Sequence, residues 1–247
     1  LGLVARDPAP EPLPAWVPAG PILEIDFDGA DPVALATRLG ELGAAPAALL
    51  AREPPGDGMD PARSWRIAQL EAIAQSRLRL MLELSPTLPA RQDVPTPGRV
   101  EGADGKLLVL SDGRALADLS EPEVRAWLAG QLRTTVTRLG ASGLRAARGA
   151  ALPWDARLSG EDAVHGAFAG QWGEVARAAV GEGGAVLVPA ASAEMTPGGF
   201  VFEAGRADDP AIVARLLSAA ISGLVYPAVG IVSAGSPEAL ERALGLA

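Results

Sequence analysis

The side chains that could carry chemistry in this sequence are carboxylates, and few of them stand where a reaction could use them. Glu83 closes the apolar run "LRLMLEL" (78–84) near the strand end at which α/β barrels collect catalytic groups. Asp26 and Asp28 finish the run "ILEIDF" (22–27) and its turn at the same end. Two carboxyl groups at fixed separation would hydrolyse a glycosidic bond, whereas isolated ones more often cap turns. Glu83 is accordingly read as holding loop geometry through hydrogen bonds, and Asp26 and Asp28 as turn or capping residues. Asp118 is expected to orient the loop before a helix at Ser120. His165 is the one histidine, in "EDAVHGAF", with no His/Cys/Asp cluster around it, so a structural or surface role is expected and no metal site. There is no cysteine, which excludes disulfides and thiolate chemistry. The glycines of "GEGGAVLV" (181–188) precede a strand instead of opening a helix, so they read as a tight turn and not a phosphate cradle. No cofactor site is read anywhere. The segment "LGASGLRAARGA" (139–150) has the form of a strand and loop after a helix, yet holds no Asp, Glu, Cys or His. Its Arg145 needs an anionic partner or solvent, because a lone buried guanidinium is costly.

These residues need elements to position them, and one unit recurs: a short apolar strand, a turn, then a helix opened by Asp-Pro or Ser-Pro. The acceptor side chain takes a free first-turn amide, and proline fits the first helical position, where its missing N–H costs nothing. "ILEIDF" leads to Asp31-Pro32 and a helix with Val33, Leu35, Leu39 and Leu42 inward. "AALLA" (47–51) leads to Asp60-Pro61 and a helix carrying Trp65, Ile67, Leu70 and Ile73. After the third strand, residues 85–107 form a long proline-rich excursion. Ser120 and Glu123 have capping-box spacing at the head of a helix striped by Val124, Leu128, Leu132, Val136 and Leu139. "GLRAA", "AVLVPA" (185–190), "GFVF" (199–202) and "AVGIVSA" (228–234) read as further strands, with helices opened by Asp209-Pro210 and Ser236-Pro237. Alternating strands and helices imply parallel crossovers, and the size suits a (β/α)8 TIM barrel. An open doubly wound sheet is the competitor, but "DFDGADP" is no dinucleotide-binding turn.

At 247 residues and 49% apolar composition, the chain can bury a substantial core, as parallel strands covered on both faces require. The proline-rich residues 1–20 read as a linker of juxtamembrane type and 21–247 as the barrel domain. A net charge of −9 argues against a nucleic-acid partner. No apolar run is long enough to span a bilayer.

Three stretches, "LRLMLELSPT", "ADLSEPEVRAWLAGQLRTTVTRLGASGLRAA" and "SGLVYPAVGIVSAG", resemble the α-amylase superfamily. Aligned on Gly140, Gly143 and Arg145, the resemblance puts the catalytic nucleophile at Ala147, the acid/base at Pro189–Ala190, and an Asn-His pair at Pro86–Thr87. Within that superfamily, "EPLPAWVPAGPILEIDFDGA" and "HGAFAGQWGEV" are similar to the catalytically silent heavy chains of heteromeric amino-acid transporters. The resemblance implies an amylase-like barrel with short trimmed loops and no C-terminal β-sandwich. It implies a non-enzymatic ectodomain that stabilises and traffics a transporter light chain at the extracellular side of the plasma membrane, anchored by a segment outside this sequence. Arg6 and Trp16 are the side chains expected to meet that partner, with Trp16 also packing back on the domain. The contact would be non-covalent, since the linking cysteine position falls near Pro10. The alternative is a diverged glycoside hydrolase acting on α-glucosides through relocated carboxylates. A non-catalytic carbohydrate-binding module ranks last, because aromatics are 4% of the chain and Trp65, Trp127, Trp154 and Trp172 fall mostly on expected helices.

Overall fold

The computed structural model describes residues 13–17, 22–25, 31–43, 45–52, 67–76, 78–90, 98–111, 113–147, 152–160, 165–188, 200–203 and 226–228. Its centre is a seven-stranded sheet whose strands follow one another in chain order. They are β1 (Ile22–Ile25), β2 (Ala48–Ala51), β3 (Leu80–Leu84), β6 (Gly143–Ala146), β7 (Ala185–Val188), β8 (Phe200–Glu203) and β9 (Tyr226–Ala228). Every neighbouring pair is parallel. The chain is therefore an α/β protein, with described helices in the connections between β1 and β2, β2 and β3, β3 and β6, and β6 and β7. β9 begins at Tyr226, two residues ahead of the expected start, and 229–234 lie outside the described residues.

The helices pack where the apolar spacing places them. α1 (Pro32–Glu41) starts from Asp31, whose Oδ1 accepts from the Val33 amide at 2.9 Å, with Pro32 in the first turn. Ala36 and Leu39 are buried, but Leu42 is 43% exposed, because the helix stops one residue before it. α2 (Ile67–Gln75) buries Leu70 and Ile73; Asp60, Pro61 and Trp65 lie outside the described residues. α3 (Pro122–Leu139) buries the whole expected stripe from Val124 to Leu139. Its end needs a left-handed residue, and Gly140 supplies it at φ 62°. The start differs from expectation: Glu121 is the N-cap and gives no side-chain bond, because the Ser120 hydroxyl is engaged elsewhere. A short 3-10 turn, His165–Ala167, leads into α4 (Phe168–Val180).

The two faces of the sheet differ. One meets the helices and forms the main core, from Leu23, Leu49, Leu82 and Leu144 to Leu39, Ile73, Leu132 and Trp172. The other carries a smaller cluster of Ala48, Leu50, Met81 and Leu187, with Leu13, Trp16, Val17 and Ile22 packed against it. Trp16 donates from Nε1 to the Gly183 carbonyl at 3.3 Å and lies under the Arg79 guanidinium, 5.3 Å from the ring centre. Gly143 leaves the space that Met81 fills: a Cβ there would meet the Ala185 carbonyl oxygen at 2.7 Å and Met81 Cε at 2.8 Å.

The excursion after β3 is more built than its prolines suggest. β4 (Thr87–Pro89) pairs antiparallel with β5 (Arg114–Leu116), and single bridges join Arg99 to Ala117, Glu101 to Leu107 and Val109 to Ala115. Val100, Leu116 and Ala156 give this lobe a small core of its own.

Candidate functional site

The strand pairings gather four charged side chains on the face away from the helices. Glu83 in β3 lies directly beside Arg145 in β6. Glu24 in β1 is level with Leu50, which is level with Met81, one rung below Glu83. Arg145 Nη1 donates to Glu83 Oε2 at 2.7 Å and to Glu24 Oε2 at 3.2 Å. Both carboxylate oxygens bind one nitrogen, so they stand within about 6 Å of each other, close to the 5–5.5 Å of retaining glycosidases. Arg52, just past β2, reaches Glu24 Oε1 at 3.1 Å. The side chains of Glu24 and Glu83 are 12% and 14% exposed, while that of Arg52 is 64% exposed. Two anions are thus matched by two cations, one held within the sheet and one free to turn towards solvent.

Arg145 has the anionic partners its sequence required. Glu83 was expected to hold loop geometry, and the bond it makes runs instead to a cation on the neighbouring strand. Glu24 was not singled out; its signal was a charge alternating with apolar neighbours in "ILEI". Ala147 stands two residues beyond Arg145, and its amide donates to the Leu84 carbonyl at 2.8 Å. The buried indole of Trp172 donates to the Ala147 carbonyl at 3.1 Å, fixing the strand end by its backbone. A methyl side chain there can neither attack nor carry a proton.

Asp118 belongs to a different cluster. Its Oδ1 accepts from the Ser120 amide at 3.0 Å and from Ser120 Oγ at 2.5 Å. Its Oδ2 accepts from the Ser159 amide at 2.6 Å and from Ser159 Oγ at 2.7 Å. Burial pushes this carboxyl up, but the two hydroxyls and two amides outweigh burial and hold it below the usual carboxylate value. Ser120 Oγ also accepts from the Gly160 amide at 2.8 Å, so the cluster ties residues 118–120 to 159–160. Asp118 therefore orients its loop as expected, and by capturing Ser120 it removes the capping box.

His165 is exposed at the start of the 3-10 turn, and no metal-binding group of His, Cys, Asp or Glu forms among the described residues. Trp127 and Trp172 lie on α3 and α4, whereas Trp154 lies in a turn and is 90% exposed. Arg6, Asp26, Asp28, Pro189 and Ala190 lie outside the described residues. No helix among the described residues is long and apolar enough to cross a membrane.

No family model and no curated protein matches the chain. Solved structures do. An α-xylosidase of glycoside hydrolase family GH31 from a soil metagenome, complexed with xylose, superposes with a TM-score of 0.72 at 15% identity, over 92% of this chain and 38% of that one. The cycloalternan-degrading enzyme of Trueperella pyogenes gives 0.65 at 16% identity, over 89% and 39%. A GH31 sulfoquinovosidase from E. rectale gives 0.61 at 18%, over 78% and 34%. The chain spans little more than a third of the length of these proteins, and at such identities the likeness is one of fold.

These neighbours correct the sequence reading. They are GH31 glycosidases and not amino-acid transporter heavy chains, so the heavy-chain assignment is overturned. With it go the assignment as a non-enzyme, the trafficking function and the transporter light-chain partner that Arg6 and Trp16 were to meet. The misreading has a physical source. Proline at a helix start, an apolar stripe, a glycine stop and a parallel strand are what any β/α unit of this architecture needs. Such a frame reports the architecture and cannot separate one family from another.

Proposed function

We propose that this chain is the sheet-forming part of a retaining glycoside hydrolase acting on α-glucosides or α-xylosides, with Glu24 and Glu83 as its paired carboxylates. Seven sequential parallel strands are taken as most of a (β/α)8 barrel, whose interior is the face bearing those residues. The observation that carries the reading is the shared guanidinium: Glu24 and Glu83 bind one nitrogen of Arg145, which keeps their bound oxygens within about 6 Å of each other, a range that includes the separation used in double displacement. The fold shared with GH31 glycosidases supports it.

The roles divide by cation. Glu83 is held by Arg145 inside the sheet and attacks the anomeric carbon. Glu24 also leans on Arg52, which is mostly exposed and can swing away when a sugar enters. Glu24 then takes up a proton and donates it to the departing glycosidic oxygen. In the second step Glu24 removes a proton from water, and that water displaces Glu83 from the sugar. Ala147 leaves room for the substrate beside them.

The test is hydrolysis of 4-nitrophenyl α-glucoside and α-xyloside by the protein and by Glu83→Gln and Glu24→Gln. Each variant is expected to lose about 10^3-fold in kcat. With Glu83→Gln, azide supplied as an external nucleophile should restore product of inverted configuration. Full activity in either variant, or no turnover by the protein itself, overturns the reading.

A further inference from the structure

Among the described residues, one large aromatic side chain stands in nearly full contact with solvent. Trp154 is 90% exposed; among the described residues, the other exposed large apolar side chains are Leu42 and Val109. Its turn is not loose. The Ala156 amide donates to the Pro153 carbonyl at 3.0 Å, and Arg157 and Glu101 exchange amide–carbonyl bonds at 2.7 and 3.1 Å. Leu152 and Leu158 pack on the small core of Val100, Leu116 and Ala156. One residue further on, Ser159 is pinned to Asp118. The indole is therefore displayed on a preset support and needs little ordering to bind. The loop that presents it leaves β6 at the end of the sheet where Glu83 and Arg145 lie.

We infer that Trp154 is an outer sugar-binding platform, on which a pyranose unit of an α-glucan stacks its C–H face while another unit occupies the carboxylate pair. Size decides between a sugar and a protein as occupant. An indole offers about 150–250 Å². A stable protein interface needs about 800 Å² per partner with an apolar centre. Asp155 and Arg157 beside Trp154 are polar and suit the hydroxyl rim of a sugar. The inference rests on the α-glycosidase reading for the class of its ligand, but it is tested by binding and not by turnover.

The experiment is native affinity electrophoresis of the whole protein in gels containing soluble starch, with β-glucan and xylan gels alongside. The protein should be retarded by starch alone. Trp154→Ala should weaken retention about tenfold or more, Trp154→Phe should keep part of it, and Glu83→Gln should still be retained. Circular dichroism verifies that each variant is folded. Equal retention of Trp154→Ala, retention by β-glucan or xylan instead, or none by starch overturns the inference. If starch retention depends on Trp154 while aryl-glycoside turnover is absent, the platform stands and the hydrolase reading falls. If turnover depends on Glu83 while Trp154→Ala is retained like the parent, the reverse holds.

Discussion

Two carboxylate clusters in this molecule are built on opposite principles. Asp118 is buried and ringed by neutral donors, two hydroxyls and two amides, so every strong acceptor direction is filled by groups that stay in place. Glu24 and Glu83 face each other across a shared guanidinium, and one has a second, exposed cation. The first arrangement fixes a charge for good. The second keeps two charges adjacent and leaves one of their partners movable, which is what proton transfer demands. A carboxylate satisfied by neutral hydrogen bonds is a fastener; carboxylates balanced by mobile cations can be reagents.

Mutation separates the two most strongly at Glu83. Glu83→Gln should remove about 10^3-fold of α-glycosidase kcat, measured under saturating substrate, while Asp118→Asn should change it less than about threefold. Equal losses in both would erase the contrast. Stability should show the reverse order. Asp118→Asn turns an amide N–H donor towards groups that are themselves donors, and urea unfolding should report a loss of about 2–3 kcal/mol. Trp172→Phe, which removes the donor to the Ala147 carbonyl but keeps the ring, should cost about 1 kcal/mol in the same assay. The smallest effect concerns pH. The folded-state pKa of Asp118 lies below its unfolded value of 3.8, so its contribution is complete above 3.8 and is lost as pH falls through the folded value. Between 3.8 and that lower value the stability of the protein should fall more steeply with acid than that of Asp118→Asn; identical acid limbs would remove Asp118 from the account.

Much of the frame was legible before any coordinates. Asp31-Pro32 opened its helix, the Val124–Leu139 stripe was buried along its length, and the strands lay within a few residues of their apolar runs. These features depend on local spacing and on capping chemistry, which the chain states residue by residue. What escaped depended on contacts distant in sequence. Glu24 and Glu83 meet only because two strand registers add up, and no local pattern encodes that sum. Ser120 had good capping spacing, yet its hydroxyl donates to Asp118 and accepts from the Gly160 amide, 40 residues away along the chain. Trp154 was counted among four tryptophans expected to fall mostly on helices, so its exposure went unseen, and the prolines of 85–107 concealed an antiparallel pairing. The family assignment failed for the same reason: the motifs that suggested it were those any β/α repeat shares.

The bond from Trp16 to Gly183 joins residues 167 positions apart, beside the apolar plug that Leu13, Trp16 and Val17 form on the sheet. During synthesis this segment emerges before the sheet but finds its seat only after the turn following α4 has left the ribosome. The sheet can assemble strand by strand in the meantime, with Leu50 and Met81 still wet on their inner side. Closure of that end is thus a late event of high contact order, and the half-made chain is the form most in need of a chaperone.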